Sequence, residues 1–600
     1  MKSPLDEYAA RKRDRAAVVS ARERTHIFLG NAKIAIFVST LAYTAVRLGN
    51  LSSTVYEIAF ALFVALSIWH EAVMRALARA QGAVAYYAAG EDRIHDRWMR
   101  DEPSGERFRD RDHPYADDLD VFGPRSLFQL LSSCRTPIGE ARLARWLMHP
   151  SPAPDIRERQ SRIAALRGRI DLRERIAVVN AGRRRSIQAD RLIAWAEEPP
   201  TLPRIRVVIV GMALLWLAAL AYSMNGGAGI WVGILLLVNL AIFGWLAKRA
   251  NAIVESLASS TESAAIDLLS NVITEIERET FTEPELMTLS RRLTGDEPGR
   301  RVSKRIARLA RISDWADSRH NVFLRLAELP LLFTLQVAYA GESWRARDGR
   351  ALRDWVDAVG EMEALLSVAG YAYEHPGDPF AEIVDGDTAL FDATQAAHPL
   401  LPSAVAVRNS LTLETQALEP SSPQALILSG SNMSGKSTLM RTAGINAVLA
   451  LAGAPVRAER LRLTPLAIGT CLRHTDSLQE HRSGFYTEAL RIRLICDRLA
   501  GALPVFFLFD ELLSGTNSKD RRIAAEGVMR TMLSRNAIGM VTTHDLSLTE
   551  IAAVFPGQVR NVHLEDRVEG GKMSFDYKLR DGVITHSNAL ELMRMIGLDV

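Results

Sequence analysis

The chain has 600 residues, 48% of them hydrophobic, enough to bury several cores and too many for a single small domain. Lys and Arg number 73 against 70 Asp and Glu, a net charge of +3, so any nucleic-acid surface must be local rather than a general cationic coat. Only three cysteines occur (Cys134, Cys471, Cys496), at spacings that suit neither a disulfide framework nor a zinc site, which fits a reducing compartment.

Residues 1–30 read as a basic cytosolic helix of mixed charge, without the apolar core or small-residue cleavage site of a secretion signal. Residues 31–75 carry two apolar runs, AIFVSTLAYTAVRLGN and LSSTVYEIAFALFVALSIW, expected to form a first transmembrane hairpin. Lys33 and Arg47 can snorkel to the headgroups, and Glu57 is expected at the loop end or against a partner helix. A helical connector and linker is expected over 76–118, ending in the polar, turn-rich DEPSGERFRDRDHPYADD. Residues 119–203 and 249–375, rich in Ala, Leu, Arg and Glu with apolar residues three and four apart, predict amphipathic helices. Between them, Val207 to Ala247 contains no charged residue, and VVIVGMALLWLAALAY and IWVGILLLVNLAIFGWLA flank the turn SMNGGAG, predicting a second hairpin over 204–248.

Arg22, Arg24, Lys33, Arg75, Arg79, Arg204, Arg206, Lys248 and Arg249 lie on the non-turn side of these hairpins. The bias predicts a multi-pass protein of the cytoplasmic (inner) membrane, with about four transmembrane helices and both termini in the cytosol. From residue 376 to 600 short β-type runs (ALILSG, VFFLFDE, GMVTTHD) alternate with helical stretches, the pattern of a parallel sheet covered by helices.

That last region carries the chemistry. In SGSNMSGKSTLM, Gly430, Gly435, Lys436 and Ser437 satisfy the G-x-x-x-x-G-K-[ST] phosphate-loop pattern between a predicted strand and helix. Residues Gly430, Ser431, Asn432, Met433, Ser434, Gly435, Lys436, Ser437 and Thr438 are therefore expected to bind ATP. Lys436 is expected at the β- and γ-phosphates and Ser437 on Mg²⁺. In VFFLFDE, Asp510 and Glu511 end an apolar strand, placing Asp510 in the magnesium shell and Glu511 at the attacking water. His544, ending IGMVTTHD, is expected to sense the γ-phosphate.

Four segments in order, SGSNMSGKSTLMR, RSGFYTEALRI, FLFDELLSGTNSKDR and VTTHDLSLTEI, resemble the ATPase motifs of the MutS mismatch-repair family, a branch of the ABC superfamily. FGPRSLFQLLSSCRTPIGEARLARWLMHPSPAPDIRERQ (122–160) is similar to the start of that family's helical core, and WVDAVGEMEALLSVAGYA and AAHPLLP resemble the part leading into its ATPase. The resemblance implies a multidomain fold: an all-α helical core or lever, here interrupted by two transmembrane hairpins, followed by an α/β ATPase domain of the P-loop, ABC type. It further implies ATP hydrolysis with Mg²⁺ and a homodimer in which Ser483 of SGFYTE reaches the γ-phosphate held by the partner. SGTNSKD (514–520) matches the loop passing between subunits, and Asn561 and His563 fit the last strands. Ser431 and Ser434 stand where the family has Pro and Gly, and Ala406 or Val407 stands where it has a base-stacking aromatic ahead of Asn409.

No mixed α/β mismatch-reading domain is expected before the core, and FAE at 380–382 reads as a coincidental match to that domain's Phe-x-Glu motif. The expected function is a membrane-anchored MutS-like ATPase that changes shape on DNA through phosphate contacts, without strong mismatch specificity. The alternative is an ATP-regulated membrane scaffold, or a transporter-like ABC ATPase, that does not act on DNA.

Overall fold

This computed structural model describes residues 3–46, 52–99, 103–179, 188–260, 263–294, 301–318, 321, 325–386, 388–415, 422–431, 434–472, 484–514, 517–569 and 572–584. The chain opens with two long helices, α1 (Pro4–Val46) and α2 (Ser53–Ile94). Short helices follow: α3 (Leu127–Leu131), α4 (Pro137–Met148), α5 (Ala153–Arg167), α6 (Ile170–Ala177) and α7 (Ala189–Glu197). The second apolar pair is α8 (Arg206–Met224) and α9 (Ile230–Ser260). Then come α10 (Ser263–Glu277), α11 (Pro284–Thr294), α12 (Val302–Ser318), the single turn α13 (Glu328–Leu331) and the long α14 (Phe333–Glu374).

Strands β1 (Glu382–Ile383), β2 (Leu390–Ala396), β3 (Asn409–Glu414) and β4 (Ala425–Ser429) lead into α15 (Lys436–Leu451). After β5 (Arg460–Leu463) and β6 (Ala467–Cys471) come α16 (Gly484–Asp497), β7 (Val505–Phe509), α17 (Ser518–Leu533), β8 (Ile538–Thr543), α18 (Ile551–Val554), β9 (Val559–Glu569) and β10 (Lys572–Asp581).

The molecule divides into two compact units, interleaved along the chain. The first takes residues 1–89, 134–140 and 169–364. In it the segment expected as a separate basic helix and the first apolar run are one element, because nothing between Pro4 and Val46 breaks a helix. Near the start of α1, Tyr8 packs on Tyr86 and Tyr87 of α2, Arg15 pairs with Glu174 of α6 at 2.7 Å, and the Tyr87 hydroxyl donates to Glu174 at 2.6 Å. Leu268, Leu269, Val272 and Ile273 of α10 and Ile306 and Leu309 of α12 are fully or nearly fully buried. The Glu277 carboxylate accepts from the Ser303 N–H at 3.0 Å and from its hydroxyl at 2.6 Å, capping the start of α12. Buried Glu363 does the same for α4, accepting from the N–H groups of Arg135 (2.9 Å) and Thr136 (3.2 Å). Four helices, α1, α2, α8 and α9, are long and apolar enough to cross a membrane, and only 6% to 11% of each apolar stretch is buried within the protein.

The second unit takes residues 90–133, 141–168 and 365–600. Its six-stranded sheet runs β10-β9-β4-β8-β7-β6, parallel except for β10. Strands β4 and β7 are buried at every residue, which is why ALILS and VFFLF are unbroken apolar runs. A smaller sheet runs β1-β5-β2-β3. Glu382 of the FAE stretch lies in β1 and pairs with Arg462 of β5 at 3.1 Å, so this carboxylate has a structural use within the small sheet.

The segment expected as a polar linker is instead packed at its end, over residues 113–118. His113, Tyr115 and Asp118 are buried. Asp118 accepts from the Thr470 hydroxyl (2.7 Å) and the Leu472 N–H (3.1 Å), while Arg491 of α16 donates to the carbonyls of His113 (2.6 Å) and Thr470 (3.0 Å). Asp118 and the His113 carbonyl thus serve strand β6 and helix α16, a use that composition does not reveal, while Glu106, Arg107, Arg109, Asp110, Arg111 and Asp112 stay exposed.

Candidate nucleotide site

Strands β4, β7 and β8 lie side by side, so the segments that follow their carboxyl ends converge, the place where open parallel sheets hold ligands. The loop after β4 turns through Gly435, whose φ of 90° suits glycine and which caps the start of α15. A Cβ on Gly435 would also lie 2.8 Å from the Tyr577 ring. Ser434 folds onto the loop, its hydroxyl donating to the Ser431 carbonyl at 2.8 Å. The serine at 434 therefore braces the loop from inside, and a serine in place of glycine is tolerated. Lys436 is 3% exposed, with its ammonium donating to the carbonyls of Gly430 (2.8 Å) and Ser431 (2.7 Å). A buried cation at a helix N-terminus beside backbone N–H groups is a site for an anion. Asn432 and Met433 lie outside the described residues.

Across the loop, the Ser437 hydroxyl donates to Asp510 at 2.5 Å. The other Asp510 oxygen accepts from the Thr542 hydroxyl, and that same hydroxyl accepts from the Glu511 N–H at 2.8 Å. Glu511 and Leu513 have φ of 50° and 56°, strained for non-glycine residues. Their positions are fixed by this network and by Glu488 of α16, which accepts from the Leu513 N–H at 2.5 Å. Arg521 of α17 donates to the Leu512 carbonyl at 2.8 Å. His544 Nδ1 lies 3.3 Å from Glu511 Oε1. Ser437 and Asp510, a hydroxyl and a carboxylate brought together, are the oxygen donors a small hard cation such as Mg²⁺ takes alongside phosphate and water. The expected Lys436, Ser437, Asp510, Glu511 and His544 are thus assembled around the ends of three adjacent strands.

Beside the loop opens a 440 Å³ pocket, whose lining includes His398, Leu401, Val405, Val407, Asn409, Thr438 and Tyr577. Burial, with Arg441 adding to it, pushes His398 down to about 4, so its imidazole is neutral near pH 7. Tyr577 reaches the pocket through an irregularity of the β9–β10 register and a φ of 53°. Asn409 clamps this bulge: its amide donates to the Tyr577 carbonyl and its oxygen accepts from the Leu579 N–H, both at 2.9 Å. An aromatic ring therefore does stand beside the loop, supplied far along the chain from Ala406 and Val407. Sequence reasoning missed it because a bulge has no periodic signature. Thr542 it could have found, two residues before His544 in VTTHD. Ser483 lies outside the described residues, next to the first residue of α16, as do Gly515 and Thr516 of the SGTNSKD loop. Asn517 of that loop caps α17, accepting from the Asp520 N–H at 2.9 Å. Asn561 donates to the Thr549 carbonyl at 2.9 Å, and His563 Nδ1 lies 3.1 Å from the Gly582 carbonyl, both on the strand next to β4.

Residues 426–599 match the family model MutS domain V. Among curated proteins, the chain is 31% identical over 216 residues to Endonuclease MutS2 of Thermus thermophilus, covering 35% of this chain and 26% of that protein. It is 29% identical over 254 residues to DNA mismatch repair protein MSH3 of Phaeosphaeria nodorum, covering 41% of this chain and 22% of the relative. To DNA mismatch repair protein MutS of Natronomonas pharaonis it is 28% identical over 249 residues, 41% of this chain and 28% of the relative. The chain thus spans about a quarter of the length of the curated relatives it matches. The phosphate loop, acid pair and histidine are assembled inside the region that matches MutS domain V, and it is through this region that the chain is similar to MutS-family proteins.

Proposed function

We propose that the chain is a membrane-anchored MutS-type ATPase that works as a homodimer and changes shape on DNA. The observation that carries the reading is the Lys436, Ser437–Asp510 and Glu511–His544 constellation at the ends of β4, β7 and β8. In this scheme the loop N–H groups and Lys436 hold the triphosphate of ATP, and the Tyr577 ring and the aliphatic side of the pocket take the base. Ser437 and Asp510 would hold Mg²⁺, which would supply charge neutralisation at the phosphates. Glu511 accepts the proton of the attacking water, and His544, 3.3 Å from Glu511, positions it and meets the γ-phosphate. Ser483 of the second copy completes the site in trans.

Anchoring is supported by the four exposed apolar helices and by the basic residues at their non-turn ends. DNA contact is assigned to arginine and lysine on phosphates, which carry little sequence or lesion information. The described residues before α3 form two long helices and a packed loop, with no α/β reading module among them. ATP turnover by the full chain in nanodiscs tests the catalytic assignment. Lys436→Ala is expected to abolish ATP binding, whereas Glu511→Gln binds ATP normally and loses about 10² to 10⁴ in turnover. Wild-type turnover by Glu511→Gln removes Glu511 from the catalytic role.

A further inference from the structure

Residues 325–336 of the first unit, RLAELPLLFTLQ, interrupt the helical bundle with a turn whose central residues, Leu329 to Phe333, are all apolar. The single turn α13 ends at Leu332, in the left-handed region with φ of 50°, and α14 starts at the next residue. Glu328 makes the reversal stable: its carboxylate accepts from the Thr334 N–H (3.2 Å) and hydroxyl (2.9 Å), capping the first turn of α14. The remaining carbonyls find donors inside the protein. Gln336 donates to Leu331 at 2.8 Å. Asn239, in the middle of the apolar run of α9 and 0% exposed, donates through one amide to the carbonyls of both Leu329 and Pro330 at 3.1 Å. A turn with its carbonyls served internally is what a hydrocarbon environment requires and what water does not.

The depth of this turn follows from two independent rulers. The Tyr339 hydroxyl donates to the Pro203 carbonyl (2.8 Å) and Arg206 donates to the Ser343 hydroxyl (3.0 Å), fixing residues 339–343 of α14 at the base of the second hairpin. Phe333 lies six residues before Tyr339, hence ~9 Å farther from that base along the helix. Asn239 lies nine residues before Lys248, hence ~14 Å into the apolar run from its basic end. Both measures put Leu329 to Leu332 inside one leaflet of a hydrocarbon layer ~30 Å thick. On α8 the buried residues are Ile209 and Ala213, within the first two turns from that same base, and α13 packs on both α8 and α9. Leu326 points outward at 74% exposed, with Arg325 beside it able to snorkel toward the headgroups.

We propose that residues 325–335 form a re-entrant wedge embedded in the cytosolic leaflet, seated against α8 and α9 through Asn239, with lipid acyl chains as the partner of its outer face. The wedge rests on the membrane-anchored reading and adds a non-spanning contact to it. It ties the start of α14, the longest helix of the core, to the bilayer itself rather than only to the two hairpins.

The test is a single cysteine at Leu326 in a Cys134→Ala, Cys471→Ala, Cys496→Ser background, carrying an environment-sensitive fluorophore. The full chain is placed in phosphatidylcholine nanodiscs with or without lipids bearing a nitroxide quencher near the headgroup end of the acyl chain. Labels at Val238 of α9 and Ile523 of α17, both exposed, serve as lipid and aqueous references. The wedge predicts about twofold or greater quenching at Leu326, independent of protein concentration, comparable with Val238 read by a mid-chain quencher, and none at Ile523. No quenching at Val238 overturns the membrane reading. Quenching at Val238 with an unquenched Leu326 overturns the wedge alone and leaves that face to water, a protein partner or a second copy. Asn239→Leu, which removes both donated hydrogen bonds, is expected to reduce quenching at Leu326 while Val238 keeps its own. Unchanged quenching at Leu326 in that variant removes Asn239 as the seat.

Discussion

Asp510 gives one oxygen to Ser437 and the other to Thr542, and Thr542 passes the constraint on to the Glu511 backbone. One hydroxyl thereby fixes the two acids for which the proposed mechanism needs different positions, Asp510 at the metal and Glu511 at the water. Thr542→Val keeps the shape and removes the donor and acceptor. It is expected to leave ATP affinity within about threefold while lowering turnover by roughly 10- to 100-fold, since misplacement of a base costs rate more than binding. Equal losses in affinity and turnover, measured by nucleotide titration and steady-state hydrolysis, would assign Thr542 to binding instead. A second residue-scale consequence concerns His113. Its Nδ1 faces the Ala116 N–H at 3.2 Å and its Nε2 the Met148 carbonyl at 3.1 Å, an arrangement that suits the neutral ring. Burial pushes it from 6.5 down to about 4, the Met148 carbonyl partly offsetting this and Arg498 adding to it. A basic group with a lowered folded pKa contributes its stability above the unfolded value, and loses it as pH falls from about 6.5 to about 4. The loss reaches roughly 3 kcal/mol below pH 4. Across that window the thermal midpoint for loss of ATP binding should drop more steeply in wild type than in His113→Gln, and identical slopes would place the titration elsewhere.

At the scale of elements, what a short window of sequence encodes was readable and what two distant windows make together was not. The phosphate loop and the charge-free runs of α8 and α9 each lie in one stretch, so spacing and composition suffice. Tyr577 reaches the loop through a bulge more than a hundred residues downstream, and Asn409 holds it there from another strand. The 103–118 segment reads as a linker because its charges are visible, while the partners of Asp118 and of the His113 carbonyl, Thr470 and Arg491, are far along the chain. Helix α1 absorbed both a basic segment and an apolar one because charge pattern changes without a helix breaker. The second hairpin carries its own prediction. A cysteine at Gly227, in the turn between α8 and α9, should react with an impermeant thiol reagent in intact cells, and one at exposed Ile523 only after permeabilisation. The opposite pattern would invert the proposed orientation.

For the whole molecule, the region matching MutS domain V holds the candidate nucleotide site and the four apolar helices supply a candidate anchor; in the proposed reading this pairing would confine any DNA search to the neighbourhood of the membrane. With contact limited to phosphates, affinity is expected to be micromolar or weaker in order of magnitude at physiological salt and to fall steeply as salt rises. The most direct measurement is ATP hydrolysis by the full chain in nanodiscs, titrated in parallel with a fully paired duplex and with the same duplex carrying one mismatch. The account predicts stimulation by both DNAs with apparent affinities alike within about tenfold, ~1.4 kcal/mol, and lost together at high salt. A larger preference for the mismatch, or hydrolysis that neither DNA changes, would contradict it.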